Sequence, residues 1–583
     1  AVGYRVFLPD SNTTYQERAE LSNKVGADLH IPIHSNGGGG TGTRIFYNGS
    51  IQGSKELSAA IFQYLGALTN SNDPKVSYLT DDSKTTKPYY EIRVPKAEMA
   101  YIEVEFHDKT EKAQWIVNNK DAIADAIAKG IFSYCEKYLL KTLEIDPENG
   151  LFLNGKHVKI KGVCAHQDFG ITGKAVADNI QRYKIEMIKE MGANGYRTSH
   201  YPHPEATMDA LDELGFIVMD ETRWFESTDE GKAQLEMLIK RDRNRPSVVF
   251  WSVGNEEPHH STEVGRRICR NLSSFVKKLD DTRFVMTAVD NPVTATVYDE
   301  TDVIGINYRL GNYDEIHKKY PNKAVFASEC CATSTTRGWY DANCPEKGYF
   351  SAYDKDTTAW FLGREKTWKF MDERPWVFGE YQWTAFEHRG ETVWPRLCSL
   401  AGAIDLYLQK KDAFYQNMTH WLERPIVHLL PHWNFRGREG EIIEVWAYTN
   451  CDELELFLNG KSLGKKEIEK YGHGEWQVKY QSGILRVEGI CNGKVVCSDE
   501  RITTGKAQKL NLKLENKIEK ANGVDIAIIS CYCTDSDGRE VPNATPYVSF
   551  NTNGLGCVIG TGSDNTDHSP VYLSERRIYD RGV

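Results

Sequence analysis

Two segments of the sequence are built alike, each an apolar run that ends in a carboxylic acid. VVFWSVGNE, residues 248–256, closes on Asn255 and Glu256, and AVFASE, residues 324–329, closes on Glu329. A strand that delivers its last side chain to a cavity mouth is the arrangement of (β/α)8 barrels, whose reactive groups stand at the C-terminal strand ends. Two carboxyl groups facing one mouth are what cleavage of a glycosidic bond needs. One, protonated, gives its proton to the departing oxygen; the other, ionised, stabilises or attacks the oxocarbenium-like sugar. At a separation of about 5 Å the second becomes the nucleophile and the anomeric configuration is retained. A lone Glu at a strand end is usually a solvated or salt-bridged residue. A pair of them, each closing an apolar strand, argues for chemistry.

The elements that would position this pair are readable as a repeat. From about residue 150, apolar strand candidates VKIKGVCAH, ANGYRTSH, GFIVMDE, VVFWSVGNE, RFVMTAV, VIGINY, AVFASE and WVFGEYQW alternate with amphipathic stretches such as QRYKIEMIKEMG and TEVGRRICRNLSSFVKKL. Eight such units predict a (β/α)8 barrel over residues 150–428, with Glu256 and Glu329 on the fourth and seventh strands. A doubly wound sheet is the alternative, and it lacks its G-x-G-x-x-G turn. Residues 1–140 read as a small α/β unit. VGADLHIPIHSN gives a buried strand and AYIEVEF another, and a closing helix has Ile123, Ala126, Ile127, Ile131 and Tyr134 on one face. After residue 429 the helical patterns give way to alternating strands, which predict one β-sandwich at 429–505 and a second, cut short, at 507–583.

Composition bounds the function. With 583 residues, 40% hydrophobic and 26% charged, the chain is a multidomain globular protein rather than a disordered one. Net charge is -11, from 71 basic and 82 acidic residues without a basic block, which argues against nucleic-acid binding. No apolar run approaches the ~20 residues of a membrane span. The 13 cysteines contain no C-x-x-C pair, and reduced, buried thiols suit a cytoplasmic location. The chain begins at Ala1 without a leader, and is read as a piece of a longer protein.

From about Thr142 onward the sequence resembles glycoside hydrolase family 2, the β-galactosidase and β-glucuronidase family. RDRNRPSVVFWSVGNEEP is similar to its acid/base segment and KAVFASECCATSTTRGWY to its nucleophile segment, while NGKHVKIKGVCAHQDFG, NGYRTSHYPHP, GEYQWTAFEHRGE and LLPHWNF follow in the family's order. The resemblance implies a retaining exo-β-glycosidase, most closely a β-galactosidase, acting on a carbohydrate substrate, with a homo-oligomer left open. It makes Glu256 the general acid/base and Glu329 the nucleophile. Asn255 would bond the sugar 2-hydroxyl, Arg197 and Tyr308 would flank the nucleophile, His166 and His200 would bond hydroxyls, and Trp383 would be an aromatic floor. Arg197 is expected to hold Glu329 ionised, and a negative neighbour to keep Glu256 protonated. The family's upstream sugar-binding jelly roll and immunoglobulin-like sandwich have no counterpart here. The stretch DETRWFES lacks the Thr-His-Gly run of some magnesium-dependent members, so no cofactor is expected for the glycosidase.

Residues 1–140 resemble a different family, the zinc-dependent N-acetylmuramoyl-L-alanine amidases that cut peptidoglycan. QERAELSNKVGADLHIPIHSN is similar to the stretch carrying a zinc-binding histidine, here His34, and AYIEVEFHDKTEKAQWIVNNKDAIADAIAKGI to the stretch carrying the catalytic Glu, here Glu103. The family's first His and Glu ligands precede the part present, and Glu105 stands where the family has Gly. The resemblance therefore implies an inactive remnant in which His34 is a single ligand, short of the three that a catalytic zinc needs; the alternative readings of the chain are a zinc-dependent amidase acting on peptidoglycan and a carbohydrate-binding fragment without turnover.

Overall fold

The computed structural model describes residues 6–9, 12–71, 73, 76–135, 143–153, 155–355, 362–517, 522–554, 556–564 and 566–578. The described residues form two compact units, one before Leu143 and one from Leu143 onward. No helix among the described residues is long and apolar enough to cross a membrane.

In the first unit, helix α1 (Tyr15–Lys24) starts at Thr14, whose hydroxyl accepts from the Glu17 N–H while the Glu17 carboxylate accepts from the Thr14 N–H. This capping box satisfies two otherwise open donors. The remaining elements are β1 (Leu29–His30), β2 (Ile33–Asn36), β3 (Arg44–Tyr47), α2 (Ser54–Leu68), β4 (Leu79–Asp81), α3 (Tyr90–Arg93), β5 (Glu98–Met99), β6 (Tyr101–Phe106), α4 (Thr110–Asn118) and α5 (Lys120–Tyr134). The main sheet runs β2-β6-β3-β4. The buried strand expected from VGADLHIPIHSN is instead broken. Pro32, which has no N–H to give a ladder, separates β1 from β2, and β2 lies at the sheet edge with Ile33 56% exposed. The α5 face forms as expected: Ile123, Ala126, Ile127 and Tyr134 are buried against Ile61 and Leu65 of α2, with Ile131 half-buried beside them.

The second unit opens with an antiparallel sheet of β7 (Leu143–Asp146), β8 (Gly150–Leu153) and β9 (Lys156–Val158). A closed barrel follows, of β10 (Ile160–Cys164), β11 (Gly195–Arg197), β12 (Ile217–Glu221), β13 (Val248–Asn255), β14 (Phe284–Val289), β15 (Ile304–Asn307), β16 (Val325–Cys330) and β17 (Val377–Gln382). All eight predicted segments are barrel strands. Pairs are parallel throughout, and β17 closes onto β10 with Gly379 beside Ile160. Helices α6 (Asp178–Glu190), α7 (Glu205–Leu214), α8 (Asp229–Asp242), α9 (Glu263–Leu279), α10 (Tyr313–Lys319), α11 (Arg364–Asp372) and α12 (Asp412–Trp421) belong to the same unit. Their apolar faces bury against outward strand residues such as Val218, Trp251 and Val285. Inside, Phe250 stacks on Phe326 and Phe378 at ring distances of 5.5 and 5.9 Å. Met219, Met286 and Leu151 of β8 pack into the same cluster, so the small sheet packs at the barrel end opposite the C-terminal strand ends. The barrel is a filled core that leaves only its C-terminal face open.

Beyond it, β18 (Val427–Leu430), β19 (Ile442–Thr449) and β22 (His473–Lys479) form one sheet. The other comprises β20 (Glu453–Leu458), β21 (Lys461–Glu467), β23 (Ile484–Cys491) and β24 (Lys494–Ile502). Val445, Ala447, Leu454, Leu456, Trp476 and Val487 fill the sandwich between them. In the last segment, β25 (Lys509–Leu514) pairs with β26 (Ile529–Thr534) and β27 (Tyr547–Ser549) with β28 (Glu575–Arg577). Strand β26 starts only at Ile529; just before it, Asn179 of α6 holds the backbone of Ile526 at both its N–H (3.2 Å) and its carbonyl (2.9 Å).

Candidate active site

The polar side chains of the candidate site converge because each is the last or nearly the last residue of its strand. Arg197 ends β11, Glu221 ends β12, Asn255 ends β13, Asn307 ends β15, and Glu329 stands one residue from the end of β16. Parallel register sets Asn307 beside Glu329.

Arg197, fully buried, is the hub. Its Nη1 donates to Glu329 Oε1 (2.8 Å) and to the Ser328 carbonyl (3.0 Å). Its Nε and Nη2 both donate to Glu221 Oε2 (3.0 and 2.8 Å), and Nη2 also donates to Asn255 Oδ1 (2.7 Å). Glu221 takes a further bond from the Ser252 hydroxyl (2.7 Å) and lies 2.7 Å from His200 Nδ1, which aims His200 Nε2 to within 3.9 Å of Glu329. On the other side Asn307 Nδ2 donates to Glu256 Oε1 (2.9 Å) and to Asn255 Oδ1 (3.1 Å), while the Ser328 hydroxyl (2.6 Å) fixes the Asn307 carbonyl. One polar network thus links Glu329 to Glu256 through Arg197, Asn255 and Asn307. Glu256 and Tyr308 have left-handed backbones, φ 49° and 58°, a costly conformation for such residues. The Glu256 N–H bonds the Ala288 carbonyl (2.9 Å) and the Tyr308 N–H the Glu329 carbonyl (2.7 Å), which holds both in place.

The electrostatics separate the two acids. Burial and, next, the charge of Glu329 push the Glu256 carboxyl up to about 7. The expected negative neighbour is present, although desolvation contributes more. Burial also raises Glu329, and Arg197, His200 and the Tyr308 hydroxyl pull against it. Arg197 therefore opposes a larger desolvation effect rather than setting the direction alone. Glu221 is buried too, yet Arg197, His200 and Ser252 bring it down to about 2.

The remaining expected residues form an aromatic wall. Trp383, 4% exposed, stacks on His200 (ring distance 5.2 Å, planes 13° apart), and His166 meets its edge at 5.6 Å. One face of Trp383 is thus covered by an imidazole. His166 Nδ1 bonds the Tyr201 hydroxyl (3.0 Å), and its ring lies 4.3 Å from that of His388. Burial, then His388, holds His166 far below the usual histidine value, which keeps it neutral. Sequence reasoning missed Glu221, Asn307, Ser328 and His388. Glu221 carried the signal that singled out Glu256, an acid closing an apolar strand, GFIVMDE.

In the first unit, the β2–β6 register sets His34 beside Glu103. His34 stacks on Tyr101 at 4.5 Å, and its Nε2 lies 3.2 Å from Glu91 Oε2. Glu91 is itself clamped by Arg18 through two bonds of 2.9 and 3.2 Å. One imidazole and a carboxylate already neutralised by a guanidinium do not fit a catalytic zinc, which takes about three protein ligands. Among the described residues the one group of three close metal-type donors is Cys330, Cys331 and Glu380, all buried. There Glu380 already accepts from the indoles of Trp368 (2.8 Å) and Trp421 (3.2 Å).

Residues 144–232 and 227–391 match the model of the glycosyl hydrolases family 2 TIM barrel domain. The barrel belongs to glycoside hydrolase family 2. Residues 3–133 match N-acetylmuramoyl-L-alanine amidase, and 440–497 match a domain of unknown function (DUF4982). The chain is 31% identical over 507 residues to beta-galactosidase BoGH2A of Bacteroides ovatus, covering 75% of this chain and 59% of that protein. It is 32% identical over 469 residues to a putative beta-glucuronidase of Formosa agariphila, covering 71% and 44%. The crystal structure of a beta-glycosidase from Bacteroides vulgatus superposes with a TM-score of 0.69 at 31% identity, over 76% of this chain and 62% of that one. The chain thus spans 44–62% of the length of these relatives.

Proposed function

We propose that the family 2 barrel is a retaining exo-β-glycosidase that removes terminal β-galactosyl groups. The observation that carries this reading is the division of two carboxyl groups at one barrel mouth. Glu256 is pushed up to about 7, so it holds a proton near neutrality, and Glu329 is bound to the Arg197 guanidinium at 2.8 Å.

In this mechanism Glu329 attacks the anomeric carbon while Glu256 protonates the departing oxygen. Forming the glycosyl ester removes the Glu329 charge, and with it the part of the upward push on Glu256 that this charge adds to burial. Glu256 then serves as the base that activates water for the second displacement. Asn255 has its oxygen taken by Arg197 and Asn307, so its NH2 is the end offered to the sugar 2-hydroxyl, a bond that strengthens in the transition state. Neither step calls for a metal or an organic cofactor.

A galactoside is favoured because the guanidinium at the centre of the site is already committed to Glu221, Glu329 and Asn255, and His166 is held neutral. A glucuronate carboxylate would meet no uncommitted cation among these groups. A β-glucuronide is the second reading, motivated by the 32% identity to a putative beta-glucuronidase. Assay with aryl β-galactoside and aryl β-glucuronide separates them. The proposal expects turnover of the galactoside that falls about 10⁴-fold or more in Glu329→Gln. Equal rates for wild type and variant would end it.

A further inference from the structure

Three of the cysteines meet in the first sandwich. Cys451 follows β19, Cys491 ends β23 and Cys497 lies in β24. The Sγ atoms of Cys451 and Cys497 are 3.5 Å apart although the residues are 46 positions apart in sequence. The Cys491 thiol also reaches Cys451. The meeting is built into the sheet. Gly489 pairs with Cys497 across β23 and β24, and a Cβ at Gly489 would lie 2.6 Å from Cys497 Sγ and 2.8 Å from Cys451 Sγ. Only a residue without a side chain leaves that volume to the two sulfurs. Cys451 is buried, whereas Cys491 and Cys497 are partly exposed. The three sulfurs do not gather as metal ligands would: among the described residues the only trio of donors within 4.8 Å of one another is Cys330, Cys331 and Glu380.

We propose that Cys451 and Cys497 form a modification site, a thiol pair that a low-molecular-weight disulfide such as oxidised glutathione converts into a reversible intrachain disulfide. Cys497 is the entry point. It is the more exposed of the two, and the Cys451 thiol hydrogen-bonded to it pulls it below the usual thiol value. Its thiolate attacks one sulfur of the oxidant, the oxidant's S–S bond breaks, and the other half leaves as a thiolate. Cys451 then loses its proton and attacks Cys497 Sγ of the mixed disulfide, expelling the second half. Two protein thiols give up two electrons and two protons, and one small disulfide becomes two thiols. The product joins the chain leaving β19, in one sheet, to β24 in the other.

The test treats the full chain under native conditions with oxidised glutathione, alkylates remaining thiols and maps peptides by mass spectrometry. The expected result is a Cys451–Cys497 linked peptide, two fewer titratable thiols, reversal by dithiothreitol, and a rise of about 5 °C in the Tm of the sandwich transition. Cys491→Ser leaves this pattern intact. Cys451→Ser stops at a glutathione adduct on Cys497. Gly489→Ala, which keeps both thiols, loses the link while its circular dichroism stays that of the folded chain. A full thiol titre after treatment, a link from Cys451 to Cys491, or an adduct on wild-type Cys497 that never resolves would each overturn the proposal.

Discussion

Glu256 and Glu329 are the same side chain at the same end of the barrel, and their surroundings divide the work. In the proposed mechanism Glu256 must carry a proton to act as the acid; with its carboxyl raised to about 7, that proposal expects kcat/KM for an aryl β-galactoside to fall as pH rises through about 7. A profile flat from pH 6 to 9 would contradict this assignment. Glu221 behaves in the opposite sense. Its folded value of about 2 lies below the ordinary ~4.3, so its contribution to stability is present above the unfolded value and is lost as pH falls through the folded one. Glu221→Gln leaves buried Arg197 short of a counter-charge and should destabilise the unit by about 3 kcal/mol at pH 7. Urea unfolding at pH 7 and pH 3 should show the gap to wild type narrowing at the lower pH. Of this network, Glu256, Glu329, Asn255, Arg197 and His200 are legible in the sequence, from strand-end position and resemblance. Asn307 and Ser328 are not, because which polar side chains face one another across a barrel depends on register, and no single segment encodes that.

At the scale of elements, the barrel strands were readable because each is a short apolar run buried on both faces, a pattern that local sequence carries by itself. β21 carries no such signal: all seven of its residues are exposed, so it has no alternation to detect. The break at Pro32 is a local effect that outweighs the apolar pattern around it. Closure of the barrel depends on a feature of β17 that hydrophobicity does not report. A Cβ on Gly379 would come within 2.6 Å of the Ile160 backbone N and O, and φ there is 155°. Gly379→Ala should therefore wedge the β10–β17 seam and cost about 2–3 kcal/mol. Chemical denaturation followed by tryptophan fluorescence would measure the loss, and a change under about 0.5 kcal/mol would show that the seam yields without strain.

On the scale of the whole molecule, two units with separate cores carry two unrelated sets of acidic residues. Ile45, Leu57, Ile61 and Ile102 anchor the first unit, while every group assigned to glycoside cleavage, from His166 to Trp383, belongs to Leu143–Val583. If catalysis is confined to that second unit, a protein comprising residues 143–583 should fold and keep kcat/KM for the aryl galactoside within about twofold of the full chain, as expected for a domain with its own core. His34→Ala and Glu103→Ala in the full chain should be equally silent in this assay. The donor set around His34 gives the matching expectation for the first unit. Arg18 already neutralises Glu91, so added zinc should bind without stoichiometry and should not release soluble fragments from peptidoglycan. Arg18→Ala is the informative control, since it frees Glu91 beside His34 without supplying a third ligand. Tight one-to-one zinc binding by the wild-type chain, together with peptidoglycan cleavage that Glu103→Ala abolishes, would show that the first unit is an enzyme in its own right.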